Sequence, residues 1–248
     1  MAFLKNLFKK QPKLDPVDLS VLNTDLHSHL IPGIDDGSKS IEDSIEMLSR
    51  FSELGYKKVI TTPHIMSDYY KNTPDIINAG LENVRAALKK ANIPIEIDAA
   101  AEYYLDEYFE ALISKKQLLF FGDKIVLFEL SFIDEPRRVK EVIFTLITEG
   151  YKPLLAHIER YPYYINKWDT LEDFKRRGCM LQLNINSLSG HYGPAVKKWA
   201  EEIIDRDIID AVGSDCHHLG HLEMLNSLRT NPYVHKIVSS THLINKKL

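Results

Sequence analysis

Leu54-Gly55-Tyr56-Lys57-Lys58-Val59-Ile60-Thr61-Thr62-Pro63-His64 holds, in one short stretch, the unit from which the rest of the chain is built. A helical pattern stops at Leu54, and Gly55 tolerates the left-handed conformation that a helix C-terminus needs. An apolar, β-branched run begins at Lys58 and ends against a histidine. Glu149-Gly150-Tyr151 ahead of Pro153, and Arg177-Gly178 ahead of Met180, repeat the order of helix stop, glycine and strand.

Outward from this unit, seven short apolar runs read as strands: 21–26, 58–62, 94–99, 124–130, 153–156, 180–185 and 208–212. Between them, 38–54, 74–91, 105–116, 135–149, 171–177 and 195–205 carry helical periodicity. Strands that alternate with helices through short connections predict a parallel sheet, either doubly wound or closed into a barrel. The 248 residues, 44% hydrophobic and 27% charged, are enough for one domain with a large core, and no linker composition follows Leu14. We read residues 1–20 as an extension and 21–248 as a single domain.

Cys179 and Cys216 stand far apart in a chain without a recognisable secretory leader, which predicts a reducing, cytoplasmic setting. No apolar run approaches the roughly 20 residues that span a bilayer. A net charge of −4 gives no electrostatic reason to expect nucleic acid as a partner. In residues 1–13, Phe3, Leu4, Leu7 and Phe8 recur at helical spacing among Lys5, Lys9, Lys10 and Lys13. The favoured reading is a frayed terminus or a helix packed on its own domain; peripheral contact with the inner face of the membrane is secondary.

The chemistry gathers at the strand exits, where folds of this kind build their active face. The first strand runs into Asp25-Leu26-His27-Ser28-His29, and residues two apart on an extended chain point the same way. Two imidazoles at that spacing are able to share one metal ion. His64, Glu102, Glu129, His157 and the string Asp215-Cys216-His217 follow at the exits of other strands. Any one of these alone is more often a hydrogen-bonded structural residue than a ligand. Recurrence on six of the seven strands, with Glu129 inside an apolar run where an ionised carboxylate needs a cation, favours a shared metal site. In Gly33-Ile34-Asp35-Asp36-Gly37, one of the two adjacent carboxylates is a further ligand candidate.

These strings together resemble the polymerase and histidinol phosphatase (PHP) superfamily, in particular its bacterial protein-tyrosine phosphatases linked to capsule and exopolysaccharide synthesis. The motifs are Asp25-Leu26-His27-Ser28-His29, Pro32-Gly33-Ile34-Asp35-Asp36-Gly37, Thr62-Pro63-His64, Ala101-Glu102-Tyr103, Phe128-Glu129, His157-Ile158-Glu159-Arg160-Tyr161 and Ser214-Asp215-Cys216-His217. The resemblance implies a distorted seven-stranded β/α barrel with three divalent ions, manganese first among Mn, Fe, Co and Zn. It further implies that His27, His29, Glu102 and Asp215 hold one ion; Asp36, His64 and His217 a second; and Glu102, Glu129 and His157 a third. Asp25 is expected to orient an imidazole. The implied substrate is a phosphotyrosine protein, a bacterial tyrosine kinase with a Tyr-rich tail.

For the reaction, Arg160 is the candidate phosphate contact, with Asp36 and His217 beside it as catalytic candidates and Tyr103 and Tyr161 as substrate-binding candidates. A salt bridge of Arg160 to a neighbour such as Glu159 is the bland alternative. A thiol phosphatase needs an arginine six residues after its cysteine, where this chain has Ile185 and Leu222. Relatives commonly carry a second arginine beyond the last metal-binding histidine; here His218, His221 or Arg229 would have to serve. The rival readings are a small-molecule phosphatase of the histidinol phosphate type, a nuclease-like module, which would want a basic groove, and a non-catalytic metal-stapled barrel.

Overall fold

The computed structural model describes residues 14–248, so the membrane-surface reading of residues 1–13 lies outside the described residues. The segment ahead of residue 21 is not wholly an extension. Val17 and Arg229 bond reciprocally, backbone N to carbonyl and Nε to carbonyl, and a 3-10 turn at Leu19–Leu22 buries both of its leucines.

Among the described residues, nine strands form where seven were expected. They are β1 (Thr24–Asp25), β2 (Lys58–Thr61), β3 (His64–Ile65), β4 (Glu96–Ala99), β5 (Glu102–Tyr104), β6 (Ile125–Glu129), β7 (Lys152–Leu155), β8 (Met180–Asn184) and β9 (Ala211–Gly213). All pairs are parallel, in a three-stranded sheet β1-β2-β4 and a six-stranded sheet β3-β5-β6-β7-β8-β9. The difference arises because a further short strand follows the second and the third expected strands, β3 after Thr62-Pro63 and β5 after Ala100-Ala101. Pro63 has no N–H to give to a ladder. Backbone bonds still cross the break, from Ala100 N to Thr61 O at 2.9 Å and from Glu102 N to Pro63 O at 3.1 Å.

Beyond β1, Ser28 pairs in parallel with Cys216, and the bonds His29 N to Cys216 O (2.9 Å) and Asp215 N to His27 O (2.8 Å) flank that pair. The first and last strand exits therefore lie side by side. Among the described residues, eight helices connect and cover the sheets: α1 (Ile41–Glu53), α2 (Pro74–Ala91), α3 (Glu107–Lys115), α4 (Val139–Thr148), α5 (Trp168–Arg176), α6 (Pro194–Asp205), α7 (Leu219–Ser227) and α8 (Pro232–Ser239). The side chains of Ser40, Thr73 and Asp106 accept from the first-turn N–H groups of α1, α2 and α3, which is why α1 starts at Ile41 and not at Ser38.

Two apolar clusters divide the core. The larger lies between helices and strands; the smaller joins Leu26, Ile60, Leu127, Leu154, Ala156 and Ala211 from successive strands with Phe121 and Ile125. Alternation on β6 places Ile125 and Leu127 in the small cluster and turns Glu129 to the same side, one step further along. The functional residues thus stand on a dry apolar plug.

Candidate metal centre

All nine ligand candidates converge. His27 Nε2 lies 3.1 Å from Glu102 Oε2, 3.4 Å from Asp215 Oδ1 and 3.3 Å from His29 Nε2. His29 Nε2 is 3.5 Å from each of the same two carboxylate oxygens. His64 Nδ1 lies 3.2 Å from Glu102 Oε2 and 3.1 Å from Glu129 Oε1, while its Nε2 is 3.5 Å from Asp36 Oδ1. His157 Nε2 is 2.9 Å from Glu102 Oε1, and His217 Nε2 is 3.4 Å from Asp36 Oδ1. Glu102 sits at the middle, within 3.5 Å of four of the imidazoles.

Four sets have ligand atoms mutually within 4.8 Å: His29, Asp36, His64 and His217; His27, His29 and Glu102; His27, His157 and Asp215; and His64, Glu102 and Glu129. This partly regroups what the resemblance implied. His29 joins the Asp36 set, His157 falls with Asp215, and His64 falls with Glu129.

The donor set fits metal ions. Bonds of about 2.0–2.2 Å to N and O ligands in a tetrahedron hold neighbouring ligand atoms about 3.3–3.6 Å apart, close to the spacings around His27 and His29. The imidazoles are also turned the right way. His29 Nδ1 meets Asp35 Oδ2 at 2.8 Å, His217 Nδ1 meets the Asp215 carbonyl at 2.9 Å and His27 Nδ1 meets Gln182 Oε1 at 2.9 Å. Each of these oxygens only accepts, so each Nδ1 carries a hydrogen, and Nε2 is the ring atom that a metal ion would take in exchange for a proton. The Nε2 atoms of His27 and His29, 3.3 Å apart, need a proton or a metal ion between them.

Electrostatics agree. Burial works to raise the carboxyls of Glu102 and Asp215, but the neighbouring imidazoles outweigh it and hold both well below the usual carboxylate range. Burial likewise opposes charge on His64, yet Glu102 and Glu129 push it up to about 9. Ionised carboxylates at this depth demand cations. Divalent ions meet that demand with ligands that must be deprotonated to bind them.

The backbone is bent to deliver these groups. His157 (φ 32°) and Asp215 (φ 51°) both occupy the left-handed region, sparsely populated for residues with a Cβ. Gly37 is obligatory, since a Cβ there would stand 2.2 Å from the His29 carbonyl oxygen. That approach lets Asp35 and Asp36 divide the work. Asp35, fully buried, holds His29 Nδ1 and accepts from the N–H groups of Gly37 (3.0 Å) and His64 (3.2 Å). Asp36, half exposed, faces His64 and His217 at the mouth.

Several expected roles change. Asp25 accepts from the backbone N–H groups of Ser214 (2.9 Å) and His27 (3.3 Å) and from the Ser214 hydroxyl, so it ties β1 to β9 while Gln182 and Asp35 orient the imidazoles. Tyr103 and Tyr161 are fully buried, and their hydroxyls accept from Leu119 N and Leu130 N; the Tyr161 ring packs behind His157, with centroids 5.6 Å apart. Arg160 pairs through Nη1 with Asp215 Oδ2 at 2.6 Å and not with Glu159, which accepts from Ser187 and Asn184. The guanidinium lies between Phe132 (4.7 Å) and Tyr192 (4.2 Å), two aromatics that the sequence did not single out. Arg229 is committed to Val17, and His221, held neutral by burial, has Nδ1 between the Asp215 carbonyl (3.0 Å) and the His217 N–H (3.2 Å). His218 instead lines a cleft of about 330 Å³ with Lys39, Met47, His217 and Leu219.

Residues 23–242 match the family described as capsular polysaccharide synthesis, CpsB/CapC. The chain belongs to the CpsB/CapC family. Within it, the tyrosine-protein phosphatase YwqE of Bacillus subtilis (strain 168) is 30% identical over 196 residues, 79% of this chain and 77% of its own length. CpsB of Streptococcus pneumoniae, also a tyrosine-protein phosphatase, is 29% identical over 202 residues, 79% of this chain and 83% of its own. A solved structure from a study of YwqE and CpsB, described as unique metal-dependent tyrosine phosphatases, superposes with a TM-score of 0.76. It shares 28% identity and covers 84% of this chain and 85% of its own. A Listeria monocytogenes chain assigned as a histidinol phosphatase shares the fold, with a TM-score of 0.50 and 14% identity over 80% of this chain and 96% of its own. Relatives of this CpsB/CapC chain are thus metal-dependent tyrosine phosphatases on a PHP-like α/β fold of parallel strands.

Proposed function

We propose that this protein is a metal-dependent protein-tyrosine phosphatase of capsular or exopolysaccharide synthesis, acting on a phosphotyrosine protein such as a tyrosine kinase with a Tyr-rich tail. The observation that carries the reading is the convergence of His27, His29, His64, His157, His217, Asp36, Glu102, Glu129 and Asp215, with Nδ1 of His27, His29 and His217 tied to acceptors and Nε2 turned inward. Three divalent ions, manganese first, are the proposed occupants, held by these nine side chains on a seven-stranded barrel in which β2 with β3 and β4 with β5 are interrupted single strands. Such ions, when bound, polarise phosphoryl oxygens and make water a competent nucleophile at neutral pH.

The chain's own groups supply the rest. Arg160, clamped between two aromatic rings, offers a planar fork for phosphoryl oxygens while Asp215 holds one of its nitrogens. Asp36 and His217, the most solvent-facing members, stand where the leaving group departs, and a phenolate of pKa about 10 asks little of a general acid. Tyr70, stacked on His64 with centroids 5.4 Å apart, and the cleft beside His217 with Lys39 and His218 line the approach. Cys179 and Cys216 are buried and take no part.

The test is hydrolysis of a phosphotyrosyl peptide beside histidinol phosphate, with and without chelator. Chelation is expected to abolish peptide hydrolysis and added Mn to restore it. Activity that persists in chelator, or turnover confined to histidinol phosphate, overturns the reading.

A further inference from the structure

Gln182 is a neutral residue in the middle of a carboxylate-rich centre. It lies on β8, is fully buried, and puts Oε1 2.9 Å from His27 Nδ1 and 3.4 Å from the backbone nitrogen of His157. The second contact decides the chemistry of the first. A backbone N–H only donates, so the amide atom that faces His157 is the oxygen. With that oxygen fixed, the His27 ring is able to bond it only through Nδ1–H. Nε2, the atom that faces Glu102, Asp215 and His29, is then the one left to bind a metal ion. Reversing the amide would turn N–H groups toward both His27 Nδ1 and the His157 N–H, leaving the latter unserved.

We propose that Gln182 is the positioning residue of the metal centre: it locks His27 in its Nδ1–H tautomer and braces the left-handed turn that aims His157. The inference rests on the metal-centre reading above. Two further features support it. Gly213, on the neighbouring strand β9, makes room for the pair, because a Cβ there would stand 2.6 Å from Gln182 Nε2 and 2.6 Å from the His27 Cβ. The backbone N–H of His157, the residue held at φ 32° where the turn begins, has the Gln182 amide oxygen as its acceptor. An amide also does this without adding a further negative charge to a site that already gathers Asp36, Glu102, Glu129 and Asp215.

The experiment compares full-length wild type, Q182L and Q182E, stripped by chelator and titrated calorimetrically with Mn2+. Partners that orient a ligating imidazole are worth about 10–100-fold in metal affinity, and Q182L is expected to lose that much with unchanged far-UV circular dichroism. Q182E, which keeps an acceptor oxygen, is expected to restore binding. In zinc-loaded, 15N-histidine-labelled protein, the His27 Nδ1 proton should exchange slowly in wild type and Q182E and vanish in Q182L, a signature that a merely structural role would not move. Should Q182L fail to fold, Q182N, which withdraws the amide by one methylene, carries the same expectation. Equal Mn2+ affinity in the variant and a persistent Nδ1 proton overturn the inference. No Mn2+ or Zn2+ binding by wild type overturns the metal-centre reading instead.

Discussion

Tyr161 shows how a side chain's direction decides its role. It stands next to Arg160 and reads in the sequence as a wall for an aryl substrate, yet its ring is sealed in the core and its hydroxyl accepts from Leu130 N at 3.0 Å. Y161F is therefore expected to leave KM for an aryl phosphate unchanged and to destabilise the fold by about 1–3 kcal/mol, the cost of leaving a buried N–H unsatisfied. Steady-state kinetics beside urea denaturation check both halves, and a raised KM at unchanged stability would return Tyr161 to the substrate site. The ligand candidates were legible because each is a charge or imidazole at the end of an apolar run, where burial without a partner is too costly to be accidental. Gln182 and the separate duties of Asp35 and Asp36 were not legible. A neutral amide inside a strand carries no such signal, and two adjacent acids differ only in which way the backbone turns them. Phe132 and Tyr192 escaped for the same reason: an aromatic in a loop reads alike whether it clamps an arginine or faces water.

At the scale of elements, the alternation of strands and helices was legible from the glycine stops and the apolar runs, while the interruptions at Thr62-Pro63 and Ala100-Ala101 depend on how neighbouring strands share backbone bonds. The breaks let His64 and Glu102 begin new strands at the centre, paired with each other in register. Two helices, α7 and α8, fall outside the segments assigned from periodicity; nine-residue α7 has apolar and polar residues spread around it and presents no clear stripe. Beneath the centre, β6 carries Leu127 in the small apolar cluster, completely buried. L127A should cost about 2–5 kcal/mol, because the plug closes on itself from several strands and has little freedom to collapse into the void. Urea denaturation would show the midpoint lowered with an unchanged slope. A shift below about 1 kcal/mol would mean that the cluster relaxes as an exposed surface does, and that it does not support the site above it.

Across the whole molecule, the proposed ions are a structural tie as well as a chemical resource. Their ligands come from the exits of β1, β7 and β9 and from β3, β5 and β6, including the seam where Ser28 meets Cys216. Without metal ions, the ionised carboxylates of Glu102 and Asp215 would face one another's neighbourhood at the seam with imidazole protons and the Arg160 guanidinium alone to balance them. Chelation is therefore expected to lower the thermal midpoint, with the loss growing as the logarithm of the free ion that wild type had enjoyed, about 2.7 kcal/mol for an ion held at a hundred times its dissociation constant. Hydrogen exchange should locate the loosening at the strand exits, His27–His29 and Asp215–His217, and leave the plug around Leu127 protected. The thiols give an internal control. Burial pushes Cys216 well above the usual thiol range, and Cys216 lies on the seam itself, whereas Cys179, also buried and pushed up, lies at the start of β8 away from it. Both should resist alkylation in the loaded protein at pH 8; after chelation Cys216 should label first. Equal midpoints with and without ions, or Cys179 labelling ahead of Cys216, would show that the seam holds without its metals.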